Sequence, residues 1–501
     1  MKPRTTGILL AIALLLAGFV YLYEIRGADA RREAEERAKR LFPDVEAEQI
    51  EWIALTTSDR REARLVRDAE GWALSEPVVF PADRFAVDGL ASNLASLGRE
   101  AEIEDPQPPA EYGLDAEARR VRFSERGTQH ELRLGYQTPV GSNTYAAVGG
   151  SDAVFTVETY KARSFDKKLD DLRDKHILDF DTASIERVEV RWPGGRVILA
   201  REAAAPAAEE DAPPHWHLTA PIDARADDET VEDLLADLSF LRAKGFVDDP
   251  PSDAEAGLAP AAFEVILTPQ GGEGAEPAPL RLAVGGLRDR DRLVRAAQAS
   301  LYTIPADRLE DFPRELVAYR YKQLARFPIT DAKRIELTFQ AEGAEPVTIL
   351  ASRDATGWTS SPESVPADKI AQMLSELSRL RADDILADAA GAAELHGLGL
   401  SPPAARIAVF GAAPEGAAED AAAPRLAEVH IGNFRGPDGI IARGAGDPVV
   451  YRLDYKLADS LPVSLEAFRN RFVGEAAPAP VPLGSEEAEG EGFLTPTQES
   501  P

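Results

Sequence analysis

Apolar and polar residues alternate along three pairs of short segments in this chain: 49–55 with 63–67, 187–191 with 196–200, and 334–339 with 347–351. A period of two gives a strand one buried face and one wet face. Beyond each pair stands a tryptophan segment, and then the rhythm changes. Val231, Leu234, Leu235, Leu238 and Leu241 fall at i, i+3, i+4, i+7 and i+10, which draws a single apolar stripe along a helix. Ile370, Met373, Leu374, Leu377 and Leu380 repeat that stripe. A Pro-rich loop with a Gly-Leu turn comes next, followed by strands such as 281–284, 293–297 and 301–304. Each succession closes on a helical segment, around 316–324 in the second, which leads into the next first strand.

The succession is written three times. Residues 71–114 overlay 215–258 at a constant offset of 144, with Trp72 on Trp216 and Val87, Leu90, Leu94 and Leu97 on Val231, Leu234, Leu238 and Leu241. Residues 154–190 overlay 301–337 at an offset of 147, and a third copy runs through Trp358, Tyr451, Leu453 and Arg469. The Gly-Leu turn reads Gly113-Leu114, Gly257-Leu258 and Gly397-Leu398. Self-similarity at a fixed period fixes an architecture of tandem units, and a period this long lets each copy close its own core. Strands segregated from helices, without strict strand–helix alternation, predict an α+β fold of three mainly antiparallel sheets with packed helices. The copies are placed at 47–183, 184–330 and 331–473. Ala/Pro/Glu/Gly-rich insertions at 202–214, 270–279 and 411–424, and an acidic Pro-rich tail at 474–501, carry too little apolar surface to join a core.

Residues 7–23 form an uncharged apolar run with Lys2 and Arg4 before it. As a helix it rises about 25 Å, at the short end of a membrane span. The reading is a transmembrane helix behind a short cytoplasmic terminus, residues 1–6. A cleaved signal peptide is the alternative, with Ala28-Asp29-Ala30 as a small-residue cleavage site. Six basic residues follow the run and only two precede it, which taken literally puts the large domain in the cytoplasm. Glu33, Glu35 and Glu36 stand four residues ahead of Arg37, Lys39 and Arg40, however, so residues 24–46 read as a solvated helical stalk. The expectation is a single-pass inner-membrane protein with its bulk in the periplasm.

The full chain has 86 acidic against 56 basic side chains, a formal charge of −30, and so lacks the cationic face that nucleic acid requires. It has no cysteine, which rules out disulfides, thiolate metal sites and cysteine nucleophiles. No phosphate-binding loop, nucleophile elbow or zinc-protease helix motif is present.

Residues that recur in every copy are explained by the shared fold, so functional candidates are the features that break the symmetry. Trp72, Trp216 and Trp358 recur and are assigned to packing; Arg173, Arg320 and Arg469 recur and are assigned a structural role at the ends of closing helices. His215 and His217 flank Trp216 on one strand, where the period of two turns both imidazoles to one face. They are weak metal candidates, since the sequence shows no third ligand. Acidic clusters at 227–229 and 170–171 read as helix-start and solvated-face residues. The hairpin tips after Gly135, Gly285 and Gly432 differ between copies: Tyr136–Ser142 in the first, Arg288, Arg290 and Arg292 in the second, and Phe434 and Arg435 in the third. Variable chemistry on equivalent loops suits a partner surface.

Gly71-Trp72-Ala73-Leu74, the 90–97 leucine stripe, Gly113-Leu114 and Val450-Tyr451-Arg452-Leu453 resemble the domain-of-unknown-function family 4340, across about residues 1–473. The resemblance implies a membrane-anchored repeat protein often encoded beside gliding-motility-type ABC transporter components, with ABC-type permease or ATPase subunits as partners. It carries no catalytic residues and no cofactor. The leading expectation is a non-catalytic extracytoplasmic scaffold or accessory subunit of an ABC-type transport or envelope complex. The alternatives are an envelope enzyme acting on glycan or peptide, and a periplasmic metal-binding module at His215 and His217.

Overall fold

The computed structural model describes residues 34–69, 71–202, 215–271, 277–340, 345–412, 423–434 and 436–473. The apolar run at 7–23, the tail from 474 and most of each insertion lie outside them. Among the described residues no helix is long and apolar enough to cross a membrane.

The first copy folds as nine strands: β1 (Ile50–Thr56), β2 (Glu62–Arg67), β3 (Trp72–Glu76), β4 (Phe80–Pro81), β5 (Ala101–Glu102), β6 (Arg119–Glu125), β7 (Thr128–Gln137), β8 (Asn143–Val148) and β9 (Phe155–Glu158). They form one antiparallel sheet in the order β4-β3-β2-β1-β6-β7-β8-β9-β5. The second sheet repeats this order strand for strand, and the third repeats it without the β4 equivalent. The predicted tandem architecture is therefore present, as three sheets with one topology.

Helix Arg84–Ser96 carries the chain from the β4 edge to the β5 edge, across one face of the sheet. Its stripe decides the side: Val87, Leu90, Ala91 and Leu94 are buried, as are Ile53 and Leu55 of β1. Asp83 caps its start through a bond from the Ala86 amide at 2.9 Å. Asp227 does the same for helix Asp228–Ser239, accepting from the Thr230 amide at 3.1 Å. The acidic cluster at 227–229 is thus a helix start, as its position implied.

Trp72 and Trp216 tie strand to helix. Trp72 Nε1 donates to Asp88 at 2.9 Å beneath the Arg67 guanidinium, and Trp216 Nε1 donates to Glu232 at 2.8 Å beneath Arg201. Burying such a ring is worth on the order of 3 kcal/mol, and the bond satisfies its one polar atom.

Each sheet also buries part of its second face, under the Pro-rich loop. Leu114 packs with Ala147 and Val154 in the first copy, and Leu400 with Ile441 and Val450 in the third. The turn that brings these leucines in depends on glycine. Gly113, Gly257 and Gly399 adopt φ of 69°, 67° and 71°, a left-handed conformation that a Cβ disfavours. The turn then docks on a bulge in the strand opposite, where the Gly286 amide donates to Ala256 O and the Asn433 amide to Leu398 O, both at 2.8 Å. The sequence overlay had assigned Gly397-Leu398 to the third turn. The structure uses Gly399-Leu400, and Gly397 ends the short helix Ala392–Gly397. Two successive Gly-Leu pairs made the choice ambiguous, and the backbone dihedral resolves it.

Of the segments read as closing helices, those of the first two copies are mostly extended, while the third holds the helix Leu465–Phe472. Residues 316–324 hold only a single 3-10 turn, Leu316–Tyr319, because the residues after it are taken up in backbone pairing. Residues 34–39 are helical, as the stalk reading expected, but Phe42 and Val45 are buried, and Phe42 meets Phe123 edge-on with centroids 5.1 Å apart. The end of the expected stalk is thus part of the first copy's core.

The two glycines of the third turn give a test. Gly399→Ala places a Cβ 2.4 Å from Asn433 Oδ1 at positive φ, whereas Gly397→Ala meets nothing within 4 Å. Gly399→Ala is expected to lower the melting temperature by the equivalent of about 2 kcal/mol or more, and Gly397→Ala to leave it unchanged or raise it slightly. Equal effects in a thermal melt would refute the turn assignment.

Candidate interaction site

The chain divides into two compact units, Met1–Leu316, with copies one and two, and Val317–Pro501, with copy three. The same docking joint occurs three times within these units. Ahead of each first strand, a short segment, the end of a helix in the first copy and extended in the other two, pairs with the stretch that follows the long helix. The Arg99 amide donates to Lys39 O, Ala243 to Lys175 O and Ala382 to Lys322 O, at 2.8, 2.7 and 2.8 Å. In return Leu41, Ile177 and Leu324 donate to Leu97, Leu241 and Leu380. Superposed on these bonds, the segments read Arg37-Ala38-Lys39, Arg173-Asp174-Lys175 and Arg320-Tyr321-Lys322. Arg173 and Arg320 thus belong to an Arg-x-Lys docking strip and not to the end of a helix, whereas Arg469 does stand in the last turn of the helix Leu465–Phe472.

The side chains lock the joint. Arg173 is fully buried, and its two terminal nitrogens grip both carboxylate oxygens of Asp248 at 2.8 Å each. Phe246 and Phe80 lie against the guanidinium, with its carbon 4.8 and 5.4 Å from their ring centroids. Phe80 belongs to copy one; Phe246 and Tyr302 belong to copy two and both meet it edge-on, with centroids 5.1 and 5.9 Å away. A planar fork on a carboxylate, flanked by aromatic faces, is a setting that arginine fits and lysine does not. Burial alone would raise the Asp248 carboxyl. The bonds from Arg173 and Ser300, with the charge of Arg61 at 3.5 Å, outweigh it and hold Asp248 below its ordinary value. Asp170, 3.8 Å from Arg173, is pushed up by burial, opposed by the Arg173 charge. In the second unit Arg320 pairs with Asp388, which occupies the register position of Asp248. In the third copy Arg469 turns back to Glu363 at 2.6 Å.

The structure disperses the residues singled out from sequence. His215 bonds Asp228 at 2.9 Å, while His217 bonds Asp223 and faces Glu202 at 3.7 Å, so each imidazole has its own carboxylate. Among the described residues no three His, Cys, Asp or Glu side chains gather in a metal-holding group. The tip residues do occupy equivalent hairpins, β7–β8 and its two counterparts. Arg292 folds back to donate to Gly285 O at 3.0 Å, whereas Arg288 and Arg290 are exposed. Arg288 borders a cleft of about 390 Å³ that also holds Asp170, Asp248 and Asp291, next to the Arg173 lock. Tyr136, Leu287 and Phe434 put 63%, 60% and 40% of their surface into solvent on the three hairpins. Arg435 lies outside the described residues. Sequence reasoning missed Asp248 and Asp388, whose only trace is their shared register position ahead of the Pro-rich loop.

Three like modules with built-in joints define a tandem-repeat α+β protein. Its sequence matches the family described as Domain of unknown function (DUF4340) over residues 72–214 and 216–403, and the chain belongs to that family. Neither a search of curated proteins nor one of solved structures finds a match.

The lock carries two predictions. Asp248→Asn leaves a fully buried guanidinium without its countercharge and is expected to cost about 3–5 kcal/mol. Arg173→Met replaces the buried cation with an apolar chain and leaves Asp248 with Ser300, Arg61 and some solvent, so its cost is smaller. Thermal melts of the two variants rank them, and the reverse order would contradict the account.

Glu428 gives the pH dependence. The bonds from Arg406 come first, against burial, and with His430 and Arg425 they hold its carboxyl down to about 2. A depressed folded-state value means stability present at neutral pH and lost as pH falls from the ordinary glutamate range toward 2. Melting temperatures of the wild-type chain should therefore fall more steeply between pH 5 and about 3 than those of Glu428→Gln. Parallel curves would contradict this.

Proposed function

We propose that this chain is a non-catalytic, N-terminally tethered scaffold: an extracytoplasmic accessory arm of an ABC-type transport or envelope complex. The observation that carries the reading is the repeated joint. Residues common to the copies, Trp72 and Trp216, the Gly-Leu turns and the Arg-x-Lys strips, are engaged in packing and docking. The copies differ instead at exposed hairpin tips: Tyr136 and Val140 in one, Arg288 and Arg290 in the next, Phe434 in the third. Equivalent loops of different chemistry on a fixed frame are how repeat proteins build partner surfaces. The tether in this reading is the apolar run 7–23, and the net charge of −30 speaks for protein partners over nucleic acid.

Extraction of the full chain from its native membranes in mild detergent should bring permease or ATPase subunits with it. Replacing Arg288 and Arg290 with Glu should reduce that recovery several-fold with the melting temperature unchanged. A monodisperse chain without partners at native expression, or recovery indifferent to every tip, would defeat the proposal.

A further inference from the structure

One cleft of the first copy occupies a place that the other two copies fill with side chains. It measures about 380 Å³ and opens between the β1–β2 hairpin, the start of β6 and the β7–β8 hairpin. Register identifies the counterparts of its walls. Arg119 opens β6 and pairs with Leu134; Phe263 pairs likewise with Val284, and Ala405 with Ile431. Thr144, between Gln137 and Val157, corresponds to Arg292 and to Ile440. In copy two Phe263 is fully buried and stacked on Phe312 with centroids 4.9 Å apart, and Arg292 is folded onto Gly285 O. In copy three Ala405 and Ile440 are fully buried. In copy one the Arg119 guanidinium instead pairs with Asp166 at 2.8 Å, at a position held by Pro313 and Pro462 in the others.

A longer hairpin completes the cleft. Thr56 pairs with Glu62 across a loop of residues 57–61, where copy two closes Trp192 onto Gly195 in a tight turn. That loop is pinned by the Ser58 amide donating to Lys167 O at 2.8 Å, and it presents Arg60 to the cleft. Arg163 enters from the helix Thr159–Ser164. Among the described residues the side chains of Arg60, Arg163, Ser58 and Gln137 make no hydrogen bond or ion pair. The lining holds three guanidiniums, Arg60, Arg119 and Arg163, against two carboxylates, Glu117 and Asp166. It is a locally cationic, hydroxyl-bearing recess on a chain of charge −30.

We propose that this cleft binds a small polar molecule through an oxyanion, a carboxylate or a phosphate. Arg60 and Arg163 grip the oxyanion, and Ser58, Gln137 and the rim take the molecule's hydroxyls. Guanidinium forks match such oxyanions in shape and charge, and the volume suits a ligand of monosaccharide size. Phe263 or Ile440 in the corresponding places leaves no room for one, so the site belongs to copy one alone. The proposal stands independently of the scaffold reading.

Calorimetric titration of the purified full chain with galacturonate, glucose 6-phosphate, inorganic phosphate and neutral glucose tests it. At least one of the three anions should bind saturably at one site and raise the melting temperature by mass action, and glucose should not. Galacturonate alone assigns the carboxylate; the phosphate compounds alone assign the phosphate. Arg60→Ala with Arg163→Ala, both exposed, should weaken binding by roughly tenfold per lost fork. Arg119→Phe, which installs the filling side chain of copy two, should abolish it. If Arg119→Phe does not fold, the double alanine variant decides alone. The proposal is overturned if no anion binds up to about 10 mM, if glucose binds as well as the anions, or if binding survives the double alanine change.

Discussion

Backbone hydrogen bonds along one strip and an arginine fork join copy one to copy two. The bonds alone specify little, since any extended strip could make them; Arg173 supplies the selectivity. Its charge is fully buried and tolerable there only because Asp248 meets both terminal nitrogens at 2.8 Å. The aromatic rings of Phe80 and Phe246 flank the guanidinium, while the Asp248 carboxylate keeps some exposure. Sliding the strip by one residue would face the cation away from its partner. The joint therefore fixes register as well as attachment.

This constraint explains where the modules begin. Each is completed by the residues just ahead of its own first strand, so Lys39–Leu41, Lys175–Ile177 and Lys322–Leu324 belong with the copies that follow them. Phe42 and Val45 are part of the first core for the same reason. The unit boundary after Leu316 falls ahead of the third strip, in agreement with that assignment.

Much of the fold was legible in the sequence because its signals are local. Alternation marked the paired strands, and the stripe from Val231 to Leu241 marked the crossing helix. Trp72 and Trp216 reported packing because they recurred. What stayed hidden depends on pairing between distant residues. Arg173 was visible as a recurring cation, but its partner Asp248 stands 75 residues on, with nothing nearby to mark it. Gly397 and Gly399 carry the same neighbour in sequence and differ only in φ. The cleft of copy one was hidden for a related reason: that Arg119 stands where Phe263 does becomes apparent only once the strand register is known. The His215 and His217 pair shows the converse, since proximity on a strand did not give the two rings a common ligand.

The third copy ends differently from the others. Its Arg469 is committed to Glu363, and Phe472 is stacked on Phe468 inside the copy's own core. A head-to-tail joint left unsatisfied at such an end is a self-templating surface, and identical molecules bearing one concatenate into open filaments. By spending its cation and ring on itself, the third module leaves neither of them free to template such a contact.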